Sequence, residues 1–185
     1  MSLEYAILGF LNYKPLSGYD LKKIFDTSVQ HFWPADQSQI YRTLTRLTEK
    51  AWAEMEVVEQ SERPDRKVYH ITEAGREALH QWLLTPLRPH IPRNAALIQV
   101  FFAGQLSDDE IVAMFERDAE RIRAVLNVYE QIPQQVGEYH DYMDSPREFF
   151  CWMLTLEAGF KSAQANLAWL EDVIRRIKNG EMPAG

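Results

Sequence analysis

Along the 185 residues, apolar side chains recur first at helical spacing, then at strand spacing, then at helical spacing again. Leu3, Ile7, Phe10 and Leu11 form one stripe, which predicts a helix over residues 3–11 with Ser2 as its N-cap. Tyr13-Lys14-Pro15-Leu16 breaks it. Ser17 or Gly18 opens a second helix over residues 19–29, with Leu21, Ile24, Phe25 and Val29 inward. Phe32-Trp33-Pro34-Ala35-Asp36 reads as a connector, because the residue before proline disfavours helix and Asp36 can cap the next helix. The third helix is QSQIYRTLTRLTEK, residues 37–50. Wound at about 100° per residue, it sets Ile40, Leu44 and Leu47 on one face, which Ala51 extends. Ser38, Gln39, Arg42, Thr45, Arg46 and Glu49 fall on the other.

The period then drops to two. Ala53, Met55 and Val57 alternate with Glu54, Glu56 and Val58, which predicts a strand. Residues 60–65 are polar, contain Pro64 and read as a turn. Residues 68–71 make a second strand, closing a hairpin with a basic tip. Thr72 caps a fourth helix running to about Leu84, with Ala78, Leu79, Trp82 and Leu83 inward. Three helices, a hairpin and a helix are the order of the winged helix-turn-helix, in which a third helix enters the major groove and the second supports it.

Residues 87–94 hold Pro89 and Pro92 and read as a linker. Residues 95–103 form a short apolar helix ending at Gly104. Ser107 and Glu110 make a capping box for a helix whose Val112, Phe115, Ala119, Ile122, Leu126 and Tyr129 follow a heptad seam until Pro133 stops it. Ser145-Pro146-Arg147-Glu148 starts another helix, residues 146–179. Phe149, Met153, Leu156, Phe160, Ala163, Leu167, Leu170, Ile174 and Ile177 recur along it at alternating four and three, and Gly180 terminates it. The two long helices fold back antiparallel. Trp152, Trp169 and Val173 lie off the seam and give a second apolar strip. With Leu156, Phe160 and Leu167, they are the expected contacts of a two-fold homodimer; a monomeric helical hairpin is the alternative. The expected fold is therefore mainly α with a small β hairpin. A winged helix over 1–86 and a linker over 87–94 precede an antiparallel, coiled-coil-like dimerisation domain over 95–185.

Composition narrows the function. No apolar run approaches the roughly 18 residues of a membrane span. The N-terminus lacks the basic flank and cleavage site of a signal peptide, and the lone Cys151 excludes an internal disulfide; a cytoplasmic protein with no membrane partner is expected. The net charge of −7 argues against indiscriminate nucleic-acid binding, so cations that meet DNA must be focused locally. Arg42, Arg46 and Lys50 form one cluster, and Arg63, Arg66 and Lys67 another. Histidines 31, 70, 80, 90 and 140 lack metal-ligand spacing, and His70 is expected on the wing surface. No nucleophile elbow, P-loop or dinucleotide glycine pattern occurs. Neither metal nor cofactor is expected, nor an enzyme. Cys151, among Phe149, Phe150 and Trp152, is expected to be buried and inert. Tyr139, His140 and Tyr142 are expected to pack rather than to line an effector pocket.

Several motifs also carry a resemblance. Gly18-Tyr19-Asp20-Leu21, Ser38-Gln39-Ile40-Tyr41 with Leu44 and Leu47, Arg66-Lys67-Val68-Tyr69, and Ile71-Thr72 with Gly75 resemble the PadR family of bacterial transcriptional regulators. Phe32-Trp33 and Pro64-Asp65-Arg66-Lys67-Val68-Tyr69 are similar to its virulence-activator subgroup. The resemblance implies a dimeric regulator that sets its third helix and wing on an inverted repeat in double-stranded DNA. The family includes repressors of phenolic-acid genes, so a small aromatic effector is a further implied partner. One departure is visible: Ala51-Trp52 stands where the family usually has Gly-Leu or Gly-Tyr. The missing glycine predicts a strained or rearranged helix exit.

On this reading Arg42 and Arg46 contact phosphates or guanine edges, Ser38, Gln39 and Thr45 bond to bases or phosphates, and Gln37 meets the DNA backbone. Tyr41 supports the helix or touches phosphate, and Arg63, Arg66 and Lys67 hold the wing to DNA. The alternative is a protein-interaction module, in which a coiled-coil dimer presents its winged helix to a protein; the acidic balance favours that reading.

Overall fold

The computed structural model describes residues 2–29, 32–59, 65–87, 93–135, 145–181 and 183. The chain divides into two compact units, Met1–Arg88 and Pro89–Gly185. The first contains α1 (Ser2–Tyr13), β1 (Leu16–Ser17), α2 (Gly18–Thr27), α3 (Gln37–Glu49), β2 (Ala53–Val58), β3 (Arg66–Ile71) and α4 (Glu73–Leu84). The second contains α5 (Ala95–Phe102), a 3-10 turn (Ala103–Gln105), α6 (Asp108–Gln135) and α7 (Pro146–Lys178).

The N-terminal core is built from the predicted stripes. Ile7, Leu8, Leu21, Phe25, Ile40, Leu44 and Leu47 are fully buried. Phe10 meets Phe25 edge-on at 5.3 Å, and α4 docks through Trp82, stacked on Tyr5 at 4.8 Å. Ser2 is the first helical residue rather than the cap, and Val29 lies beyond the end of α2. Leu83 is solvent-exposed, and so are Met55 and Val57. The wing therefore projects from the core instead of covering it.

The expected break after Tyr13 holds a strand. Leu16 pairs with Tyr69 and Ser17 with Val68, so the sheet order is β1-β3-β2, all antiparallel. Two residues are too few to show a period, and only the distant partner makes them a strand. Residues 60–64 of the wing tip, Arg63 included, lie outside the described residues.

The α3 exit resolves the missing glycine by strain. Ala51 takes the left-handed conformation, φ 56°. Its N–H bonds to the Thr48 carbonyl at 3.0 Å, and the Trp52 N–H to that of Leu47 at 2.9 Å. These two bonds are a complete Schellman motif. Ala51 is thus exposed at the turn and does not extend the inner face of α3. The same pair of bonds closes α7, where Gly180 holds the left-handed position at φ 71°. Trp52 is then fixed from the far side. Its carbonyl accepts from Thr72 N at 3.1 Å, and a Cβ on Gly75 would come within 2.1 Å of it.

In the second unit, Ile111, Met114, Phe115, Ala119 and Leu170 form a core, with Ile122, Leu167, Val173, Ile174 and Ile177 packed against it. Ser107 and Glu110 form the capping box that starts α6, and the Ser145 hydroxyl caps α7 at Glu148 N. Pro133 does not stop α6, which runs on to Gln135. Cys151 is exposed rather than buried; it lies among aromatic neighbours in sequence but off the seam that packs. Tyr139, His140, Tyr142 and most of the linker fall outside the described residues. No described helix is long and apolar enough to cross a membrane.

Ala51→Gly is expected to stabilise the protein by about 0.5–1 kcal/mol. The change relieves the ~1–2 kcal/mol of a left-handed non-glycine residue but adds freedom to the unfolded chain. A urea denaturation midpoint that rises confirms this; one that falls contradicts it.

Candidate nucleic-acid interface

Burial of Ile40, Leu44 and Leu47 on one side of α3 leaves Gln37, Ser38, Gln39, Tyr41, Arg42 and Thr45 exposed on the rest. The N-terminus of the helix is held by Asp36. Its carboxylate accepts from Gln39 N at 2.7 Å and from the Ser38 hydroxyl at 2.6 Å. In return Asp36 N donates to the Gln39 Oε1 at 3.0 Å. The Ser38 hydroxyl and the Gln39 carboxamide thus both serve the cap. Hydrogen bonds from Ser38 and from the Gln39 amide hold the Asp36 carboxyl below its ordinary range. Thr45 donates to the Tyr41 carbonyl at 3.1 Å, and Arg42 Nε to the Ser38 carbonyl at 3.3 Å, which leaves the Arg42 guanidinium in solvent.

The tyrosine has a supporting place. A Cβ on Gly18 would lie 2.5 Å from the Tyr41 ring, so the glycine of the Gly-Tyr-Asp motif exists to let α3 approach α2. Burial, and then the neighbouring Tyr41, push the Tyr69 hydroxyl above its usual range. Tyr41 therefore sits between α2 and β3.

The wing is anchored by the aspartate of the same motif. Asp20 accepts from Ser17 N at 3.0 Å and from the Ser17 hydroxyl at 2.6 Å, closing the α2 capping box, and it pairs with Arg66, the first residue of β3 on the turn side of the wing. Arg66 is consequently bound within the protein. Lys67, next to it, is exposed and has no ion pair among the described residues. His70 lies on the wing surface, 2.9 Å from Glu56. Arg46 is also engaged: it donates to the Thr43 hydroxyl at 3.0 Å and its Nε stands 3.7 Å from the Glu4 carboxylate.

Two features were not visible in the sequence pattern. A groove of about 980 Å³ beside α3 is walled by Phe32, Trp33 and Pro34 on one side and by Gln39, Arg42 and Arg46 on the other. The connector therefore contributes aromatic surface to this face. In the second unit, α5 has no buried residue; Leu97, Ile98, Phe101 and Phe102 are 53%, 61%, 81% and 57% exposed. Of the expected dimer strip, Leu167 and Val173 pack into the chain's own core. Trp169 meets Phe115 edge-on at 5.7 Å, while Trp152, Leu156 and Phe160 are half-buried.

A polar helix face held outward beside a paired β wing defines a winged-helix protein of the DNA-binding type. Comparison with known proteins makes the assignment particular. Residues 7–81 match the transcriptional regulator PadR-like family and residues 92–178 the virulence activator alpha C-terminal family. The chain is 32% identical to the probable transcriptional regulator Rv1176c of Mycobacterium tuberculosis, over 96% of this chain and 98% of that one. It is 30% identical to the negative transcriptional regulator PadR of Bacillus subtilis, over 95% and 97%. The crystal structure of B. subtilis PadR with operator DNA superposes with a TM-score of 0.82 at 29% identity, covering 96% of this chain and 99% of that one. The structure of the same protein with p-coumaric acid gives 0.79 at 28% identity, covering 95% of each. The chain belongs to the PadR-like family of transcriptional regulators, which are not enzymes.

The Asp20 carboxyl links this interface to pH. Burial pulls its pKa up, but hydrogen bonds from the Ser17 hydroxyl and amide and from Arg66 outweigh burial and hold it below 3.8. A lowered folded-state pKa stabilises the protein above the ordinary value, and that contribution is lost as pH falls through the lowered one. The gap in denaturation midpoint between the wild type and Asp20→Asn is therefore expected to hold constant from pH 7 to about 5 and to close below pH 3.8. A gap that persists unchanged to pH 2 contradicts the assignment.

Proposed function

We propose that the chain is a sequence-specific DNA-binding transcriptional regulator that acts as a homodimer on an inverted-repeat operator. The observation that carries this reading is the exposed polar face of α3, whose opposite face is wholly buried. The arrangement supports base contacts from Ser38, Gln39, Arg42 and Thr45 in the major groove, with Gln37 on the DNA backbone and Tyr41 in support. Lys67 holds phosphate from the wing, with Arg63 expected beside it. Arg46 and Arg66 stand at the same face with carboxylate partners. The relative solved on operator DNA supports the same use of the fold.

Pairing of two copies is supported by α5. Large exposed apolar patches mark interfaces, and this helix presents four large apolar side chains to solvent. The proposed contact surface includes α5 and, along α7, Trp152, Leu156, Phe160 and Trp169. Two α3 helices related by a two-fold axis read half-sites about one helical turn apart. A small aromatic effector is supported by the relative solved with p-coumaric acid. A hollow of about 510 Å³ in the second unit combines apolar walls from Phe102, Leu106 and Met114 with the cation of Arg117, which suits an aryl carboxylate; Glu110, also in its lining, is held on Ser107 by the α6 capping box.

Titration against DNA fragments at two salt concentrations tests the reading. A dimer neutralising about 6–10 phosphates loses roughly 10³–10⁵ in affinity between 50 and 200 mM salt. Arg42→Ala is expected to cost about 1–3 kcal/mol on the operator, whereas Lys67→Ala weakens all sequences alike and flattens the salt slope. Phe101→Glu is expected to halve the sedimenting mass. Binding without sequence preference or salt dependence points instead to a protein partner.

A further inference from the structure

Glu4 is the one charged side chain in the core among the described residues, with 2% of its surface exposed. A carboxylate removed from water requires compensation. It is supplied from the C-terminal end of α3: Nζ of Lys50, the helix C-cap, lies 3.0 Å from Oε2, and the Arg46 charge faces Oε1 across 3.7 Å, beyond hydrogen-bond reach. Arg46 is held a second time, donating at 3.0 Å to the hydroxyl of the buried Thr43. Lys50 is held a second time over the Trp52 ring, at 4.4 Å from its centroid. Two of the three cations of α3 and its C-cap are therefore committed to the protein, and Arg42 remains in solvent.

We propose that Glu4 is a positioning residue for DNA recognition. It withholds Arg46 and Lys50 from phosphates, so that the affinity contributed by α3 rests on the side chains that reach base edges. The proposal rests on the DNA-binding reading above. Phosphate contacts are blind to sequence and supply essentially all of non-specific binding. A cation that left Glu4 for a phosphate would strand a buried carboxylate without its partner, and this opposes the transfer on every DNA sequence. In a chain of net charge −7, the device confines attraction to a few groups and raises the ratio of operator to non-operator affinity. It also explains why the glutamate comes from α1: only a group beneath α3 can hold these cations while leaving its outer face open.

The test uses the full chain. Wild type and Glu4→Gln are titrated against an operator fragment and a non-operator fragment of equal length between 50 and 200 mM salt. Circular dichroism first establishes that both are folded. The variant is expected to bind non-operator DNA several-fold more tightly at low salt. Its slope should steepen by about 0.9 for each phosphate gained, and its operator preference should fall. Glu4→Asp, which keeps the charge, is expected to return the slope toward the wild-type value. A folded Glu4→Gln with unchanged slope and preference overturns the proposal and reduces Glu4 to a packing role. Should Glu4→Gln fail to fold, Glu4→Met with Lys50→Met replaces the ion pair by apolar groups, a change that buried pairs tolerate, and still frees Arg46. The slope is then expected to steepen by about 0.9 per subunit, and an unchanged slope overturns the proposal. Wild-type protein that prefers neither fragment refutes the DNA-binding reading itself, a result distinct from either failure of Glu4.

Discussion

Complete burial of Ile40, Leu44 and Leu47 is the constraint on which the rest of the first unit depends. Each such side chain contributes about 1.5–3 kcal/mol relative to exposure, a sum comparable with the whole net stability of a small domain. Because the three occupy one side of a helix, their burial fixes its rotation about its own axis. The polar side then has to face outward. The functional face is thus a by-product of core packing, and its side chains are free to be chosen for what they touch outside the protein.

Fixing the position of α3 along its axis takes a second set of interactions, at its two ends. Asp36 closes the N-terminal turn with a reciprocal cap. At the other end, Ala51 accepts a left-handed backbone so that Trp52 can bond back to Leu47. Trp52 in turn receives Thr72, which starts α4. The strain at Ala51 is carried because helix, wing and α4 meet within two residues of it. The Gly-Tyr-Asp motif plays the matching role for α2. Gly18 admits the Tyr41 ring, and Asp20 ties the α2 cap to Arg66 at the turn-side end of the wing.

How much the sequence disclosed depended on the range of each interaction. Helix stripes and caps are local, so Asp36, Ser107 and Ser145 could be read directly, as could the alternation of β2. The strand Leu16–Ser17 could not, because its only strand signal is a partner more than 50 positions later. The carboxylate partners of Lys50 and Arg66 were equally hidden: Glu4 and Asp20 each act across 46 residues. The basic residues were therefore legible as cations, but their commitment within the protein was not. Periodicity also cannot tell a face buried within a chain from one buried between copies. For that reason the apolar character of α5 was plain while its exposure was not, and the partial packing of Leu167 and Val173 against the chain's own core could not be read from their spacing.

The proposed function requires the outer face of α3 to meet a major groove, twice, across a two-fold axis. Methylation of guanine N7 alters the major groove alone, so interference mapping on DNA fragments selected by the purified chain tests it most directly. Two symmetric clusters of interfering guanines are expected, centred about one helical turn or a multiple of it apart. Interference confined to a single cluster, or binding indifferent to N7 methylation, would contradict it.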